Sequence, residues 1–265
     1  MRRYIAVAAA LAFSGPAAAE PLSIVAQEMP GLLSPVAGRP YGGLPYNELL
    51  GKLIEASPVP VSVKVEPGYR GPRNWTDRQY QCIFGGVSSP GHKIPPNDTS
   101  ITPDDWATLV ISRPFNILTV HAWNRADSPV VTDRKMLEDA VVAVDEVLSL
   151  DLGLHARADI AGSRMVKVKN PWEALDLLQA GRVNFAYAFD NDVELYRRRH
   201  PGIGIGADRN LKLLVLEESM MCWPGEGAET FISYIDARLK ALDASGELAR
   251  LTLKDRARPG ADASP

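Results

Sequence analysis

The chain has 265 residues, of which 46% are hydrophobic, 23% charged and 7% aromatic, with a formal net charge of −3. That is a globular mixture with ample apolar surface for a large core. It excludes a disordered tail, a collagen-like fibre and a disulfide mini-domain.

The first 19 residues differ from the rest. Arg2 and Arg3 precede an apolar run from Tyr4 to Phe13, followed by Gly15, Pro16 and the small triplet Ala17, Ala18 and Ala19, the three-part pattern of a secretory signal. The run is about half the roughly 20 residues that a membrane-spanning helix needs. Cleavage after Ala19 is expected to leave 246 residues with a formal charge of −5 in the periplasm, without stable membrane insertion. Mild acidity argues against a nucleic-acid partner. Two cysteines, Cys82 and Cys222, are a candidate disulfide in an oxidising compartment, the alternative being two separately buried thiols.

Along the mature chain, Leu22 to Ala26 is a short apolar strand, followed by a Gly- and Pro-rich loop to Pro45. A helix from about Asn47 to Ala56 places Leu49, Leu50, Leu53 and Ile54 at helical spacing. Val59 to Val65 alternates as a half-buried strand and Gln81 to Val87 reads as another, with a long loop from Ser88 to Ser100. Leu109 to Trp123 reads as two extended pieces broken at Pro114, and Val141 to Val144 as a buried strand. Asn170 caps a helix that has Pro171 at its first position and Gly181 just past its end. Val183 to Phe189 is a strand, Asp190 leads into a charged helix, and Leu211 to Leu216 is a further strand. Phe231, Ile235, Leu239 and Leu242 mark a C-terminal amphipathic helix. Strands alternating with helices predict an α/β fold with mostly parallel sheets, in two small lobes.

Three segments carry a resemblance. ITPDDWATLVISRPF, Ile101 to Phe115, is similar to a Thr-Pro-Glu-Arg turn before a strand ending in Phe-Ser-x-Pro-Tyr. ALDLLQAGRVNFAYAFD, Ala174 to Asp190, is similar to a helix, a Gly-Arg turn and a strand ending in Asp, and KALDASGELARL fits a last helical element. In this order they resemble the bacterial extracellular solute-binding proteins of family 3, the polar amino acid type, over roughly Leu22 to Leu253. The resemblance implies the two-lobed type 2 periplasmic binding protein fold, with crossing strands near Leu118 to Trp123 and Val215 to Cys222. Residues 1–19 are then the signal peptide, 20–123 with 215–253 the first lobe, 124–214 the second, and 254–265 a disordered tail.

Departures from the family point to the ligand. Asp105 stands where the resemblance places an Arg that holds an α-carboxylate, and an acceptor-only group repels a carboxylate; a shift of register would make Arg113 supply the fork. In the second lobe, Asp145 and Glu146 replace a Gly-Ser or Gly-Thr turn. Asp190 occupies the position that commonly holds an amino group, with a helix N-cap as its alternative role. Glu28, after the first strand, is expected at the cleft, with Tyr41, Trp106, Phe115 and Trp123 as aromatic walls that are otherwise core. His121, on the first crossing, could reach a ligand or be a satisfied structural histidine. Such a cleft suits a cation or a neutral polar molecule.

The implied function is a binding protein that serves an ABC transporter permease, the alternative being an accessory or sensory partner of another periplasmic protein. A dehydratase acting on cyclohexadienyl acids is disfavoured by the missing Arg. The scattered histidines have no metal-ligand spacing, no cofactor motif stands out, and there is no Gly-x-Ser-x-Gly elbow.

Overall fold

The computed structural model describes residues 20–35, 43–68, 70–92, 101–146, 148–149 and 163–254. Segment 1–19, Tyr41 and the tail beyond 254 lie outside them.

Leu22–Gln27 forms β1, an apolar strand that pairs in parallel with β2, Val61–Glu66, and with β3, Cys82–Ser88. Parallel partners need crossover connections. Helix α1, Pro45–Ile54, supplies the first and buries Leu49, Leu50, Leu53 and Ile54, while α2, Arg70–Thr76, supplies the second. The β2 edge alternates half-buried and exposed positions and carries Lys64, a charge that discourages pairing with other chains.

After the short helix α3, Pro103–Thr108, and the two-residue strand β4, Val110–Ile111, the chain enters β5, Asn116–Arg125. The other half is built on β6, Val141–Asp145, β7, Arg164–Val168, and β8, Phe185–Phe189, which are mutually parallel in the order β8-β6-β7. Helix α4, Pro171–Gln179, precedes β8, and α5, Asp190–Arg199, follows it. Asn170 caps α4 through its side chain, and Gly181 ends it at φ +67°, a conformation glycine adopts without strain. The two-residue strand β9, Ile205–Gly206, then pairs with the end of β5.

Strand β10, Leu214–Cys222, returns the chain. The full order is β2-β1-β3-β10-β5-β8-β6-β7, and β5 and β10 are antiparallel to each other and to their outer neighbours. They therefore join the two halves. The C-terminal helices α6, Ala228–Ala244, and α7, Glu247–Leu251, pack back on the first half, burying Phe231, Ile235, Leu239 and Leu242. Cys82 and Cys222 face each other across β3 and β10 and are disulfide-bonded. One apolar cluster gathers Ile24, Leu49, Phe84 and Phe231, and another gathers Trp123, Leu175, Leu178 and Val193.

Four elements lie outside the sequence expectation, the two-residue β9 among them. Helix α2 is hidden in RGPRNWT, whose Gly and Pro read as a turn. Helix α3 begins at the Thr-Pro turn itself, with the Thr102 hydroxyl accepting the Asp105 N–H. Strand β7 exposes four of its five residues, so it carries no apolar alternation.

Candidate functional site

The carboxyl ends of parallel strands are where α/β sheets bind ligands, and here the ends from both halves face one cavity of about 480 Å³. One wall comes from Gln27 to Pro30 after β1, Tyr46, Trp75, the Gly85–Gly86 segment and Glu218. The opposite wall comes from Asp145 and Glu146 at the end of β6, Lys169 to Pro171 ahead of α4, and Phe189, Asn191 and Asp192 where β8 meets α5. Its volume is that of a small-molecule site.

A bulge shapes the first wall. Ser219 pairs with Gly86 and Met220 with Phe84, which leaves Gly85 as an extra residue at φ +79°. Only glycine takes that conformation without strain. A Cβ at Gly85 would lie 3.7 Å from Glu218 Oε1, so the bulge brings bare backbone up beside the acid.

Glu218 is 2% exposed. Tyr46 Oη donates to its Oε2 at 2.5 Å and Asn116 Nδ2 at 2.8 Å, and Asn116 Nδ2 also donates to Tyr46 Oη at 2.7 Å. Burial pushes the Glu218 carboxyl up to about 7, against the pull of those two hydrogen bonds. The Tyr46 phenol is pushed well up by its own burial and by the neighbouring Glu218 charge.

Across the cavity, Asp192 is the third residue of α5. Burial pushes its carboxyl up to about 8, reinforced by the charges of Asp145 and Glu218, while the Phe189 N–H pulls it down. Asp145 accepts the Leu148 N–H at 3.0 Å. The Glu218 charge on one wall thus helps to raise Asp192 on the other. Lys169, the one cation among the lining residues, is exposed.

Two donors on the walls are unpaired: among the described residues, Trp75 Nε1 and Asn191 Nδ2 have no hydrogen-bond partner. A buried donor left so costs about 1–3 kcal/mol, which a ligand acceptor would recover. No three His, Cys, Asp or Glu side chains among the described residues gather as a metal-ligating group.

The walls also touch directly. Gly31, at φ +75° in the loop after β1, lies against Trp172 of α4 and Leu195 of α5, a Cβ there falling 3.3 Å from the Trp172 ring. Leu195 packs on the apolar cluster of the first half. The two walls thus meet at Gly31.

Of the residues expected at the cleft, Glu28 lines the cavity. Asp105 does not: it sits in the first turn of α3, paired with Arg78 at 2.5 Å, and Arg78 in turn stacks on Trp223. Arg113 points to α6, where its backbone N–H reaches Asp236 and its guanidinium Asp243. Trp106 packs with Trp75, Ile83 and Trp223, and Phe115 stacks on Phe84 beside Tyr46, both as core. His121 is a satisfied structural histidine, with Nδ1 at 3.0 Å from the Leu211 carbonyl and Nε2 at 3.4 Å from Asp190. Trp123 donates to the Ala188 carbonyl inside the second half, under Arg197 and Arg209. Asp190 is neither a cavity residue nor the N-cap, which is Phe189; it pairs with Arg209 and His121. The cavity acids Glu218 and Asp192 were missed. Their signal was a charged pair, Glu217 and Glu218, inside an otherwise apolar strand, and a second Asp just past the strand end.

No protein-family model and no curated protein sequence matches the chain. Solved structures do. The GluR0 ligand-binding core in complex with L-glutamate is 13% identical, with a TM-score of 0.64 over 90% of this chain and 99% of that one. The substrate-binding protein of an amino acid ABC transporter is 14% identical, with a TM-score of 0.59 over 86% of this chain and 96% of that one. The VFT2 domain of Bordetella pertussis BvgS is 16% identical, with a TM-score of 0.60 over 88% of this chain and 92% of that one. No described helix is long and apolar enough to cross a membrane. The chain has the two-lobed α/β fold of the periplasmic binding proteins.

Proposed function

We propose that the protein is a periplasmic solute-binding protein, exported by its first 19 residues, that closes on a small polar solute other than an ordinary amino acid and presents it to an ABC transporter permease. Its lobes are residues 20–123 with 215–253 and residues 124–214. The observation that carries this reading is the cavity walled by both lobes, whose lining residues include two with unpaired buried donors and the buried acids Asp145 and Glu218. Ligand contacts from both walls favour the closed state, to the extent that the ligand binds closed better than open.

Small-angle scattering tests this: the radius of gyration should fall when a ligand found by thermal-shift screening is added. An unchanged radius with a bound ligand refutes closure as the working motion. The second reading, an accessory or sensory partner of another periplasmic protein, draws support from the likeness to a histidine kinase sensor domain, 15% identical with a TM-score of 0.59. Recovery of a protein partner from periplasm without added ligand favours it.

A further inference from the structure

The charge and the unpaired groups of the cavity narrow the ligand beyond "small and polar". Five carboxyl side chains line it, Glu28, Asp145, Glu146, Asp192 and Glu218, against the single exposed Lys169, and no guanidinium is among the lining residues. The arginines that sequence or contact brings under consideration are spent elsewhere: Arg78 on Asp105, Arg113 on Asp243 and Arg209 on Asp190. A carboxylate entering this space meets like charge on both walls.

The acids alone would not define a ligand. The second, independent observation is Trp75, 1% exposed, whose ring is part of the cavity wall and whose Nε1 has no partner among the described residues; Asn191 Nδ2 is a second such donor. These groups ask for an oxygen acceptor, and the acids around them require that it be uncharged. The remaining wall, with Met29, Leu32, Leu118, Leu148 and Phe189, is apolar. The geometry points to a protonated amine that also carries a neutral hydroxyl or carbonyl oxygen and an apolar portion, with no carboxylate, as the ligand of this cavity. Its ammonium group sits between Asp192 and Asp145 on one wall and Glu218 and Glu28 on the other. Its oxygen takes the Trp75 donor. This rests on the binding-protein reading and deepens it.

Matched probes separate the two. The full mature protein, freed of carried-over ligand by unfolding and refolding, is titrated calorimetrically with L-leucinol and L-phenylalaninol, with L-leucine and L-phenylalanine, and with a panel of neutral sugars and dicarboxylates. Each amino alcohol should bind at least tenfold more tightly than its amino acid. Asp192→Asn and, as a second variant on the other wall, Glu28→Gln should each weaken the amino alcohol at least fivefold, with circular dichroism confirming the fold. Trp75→Phe should weaken leucinol but leave isoamylamine, which lacks the oxygen, within twofold. Amino acids binding more tightly than their alcohols, or folded acid variants that bind leucinol as well as the parent, overturn the inference. Binding and closure with sugars or dicarboxylates alone overturn it while leaving the binding-protein reading intact, and silence from every probe overturns both.

Discussion

Replacing Glu218 by Gln isolates the energetic cost of keeping an acid in the cavity wall. In the folded protein this carboxyl titrates at about 7, against an ordinary 4.5. Below about 4.5 it is protonated in both the folded and the unfolded chain, and its contribution to stability is fully present. Between 4.5 and about 7 the folded state holds a proton that the unfolded chain has released, so stability falls as pH rises and the contribution is gone above about 7. That interval is worth about 3 kcal/mol. A glutamine cannot ionise, and Asn116 Oδ1, unpaired among the described residues, can accept from the new amide after rotation while Tyr46 donates to its oxygen. The ligand-free variant should match the parent near pH 5 and exceed it by about 2–3 kcal/mol near pH 8, a rise in Tm of roughly 4–12 °C for a chain of this size. Thermal melts followed by circular dichroism across that range give the comparison. A variant destabilised equally at both ends, or a parent whose stability is flat between them, refutes the assignment of a buried, pH-raised acid.

Two further substitutions test the placement of the site. Asp190→Asn should change ligand affinity less than twofold, because its carboxylate is engaged by Arg209 and His121, whereas Asp192→Asn should not be silent; paired titrations of the two decide which carboxylate faces the ligand. Gly31→Val strains a backbone at φ +75° by about 1–2 kcal/mol and forces a side chain against Trp172. Affinity should fall about tenfold while far-UV circular dichroism stays unchanged, and scattering with saturating ligand should show a less compact particle than the parent.

Much of the fold was legible because its signals are local. The leucines of α1 and the Asn170–Pro171 start of α4 are one-dimensional patterns, and the structure places helices where they point. Helix α2 was not legible, since Gly71 and Pro72 fall within its first turn and what holds it is the packing of Trp75 against Trp223, almost 150 residues away. The site was legible in character and not in position. Acids were expected at Glu28, Asp105, Asp190 and the Asp145–Glu146 turn; the cavity is lined by Glu28, Asp145, Glu146, Asp192 and Glu218. In α5 the reason is angular. At about 100° per residue, the first and third residues of a helix point about 200° apart, so an alignment correct for the element selects Asp190, on the Arg209 side, over Asp192, on the cavity side.

If the lobes close as proposed, the distribution of these acids over two walls predicts a pH dependence for that closure. Asp192, Asp145 and Glu146, with Lys169 exposed beside them, belong to one wall, and Glu28, Glu218 and the Tyr46 phenol to the other. Asp192 feels the Glu218 charge across the gap, and that repulsion exists only while the lobes are shut. An ammonium ion between the walls turns repulsion into attraction, which is the differential affinity for the closed state that a ligand needs in order to shift the equilibrium. Protons substitute for it in part. Near pH 6 both Glu218 and Asp192 hold theirs, and near pH 9 both have lost them. The ligand-free protein should therefore be more compact near pH 6 than near pH 9 by small-angle scattering, and Asp192→Asn should remove most of the difference while Asp190→Asn, outside the cavity, keeps it. A radius that is unchanged or larger at the lower pH, or an Asp192→Asn variant that still expands, would show that charge across the cavity does not govern the lobes.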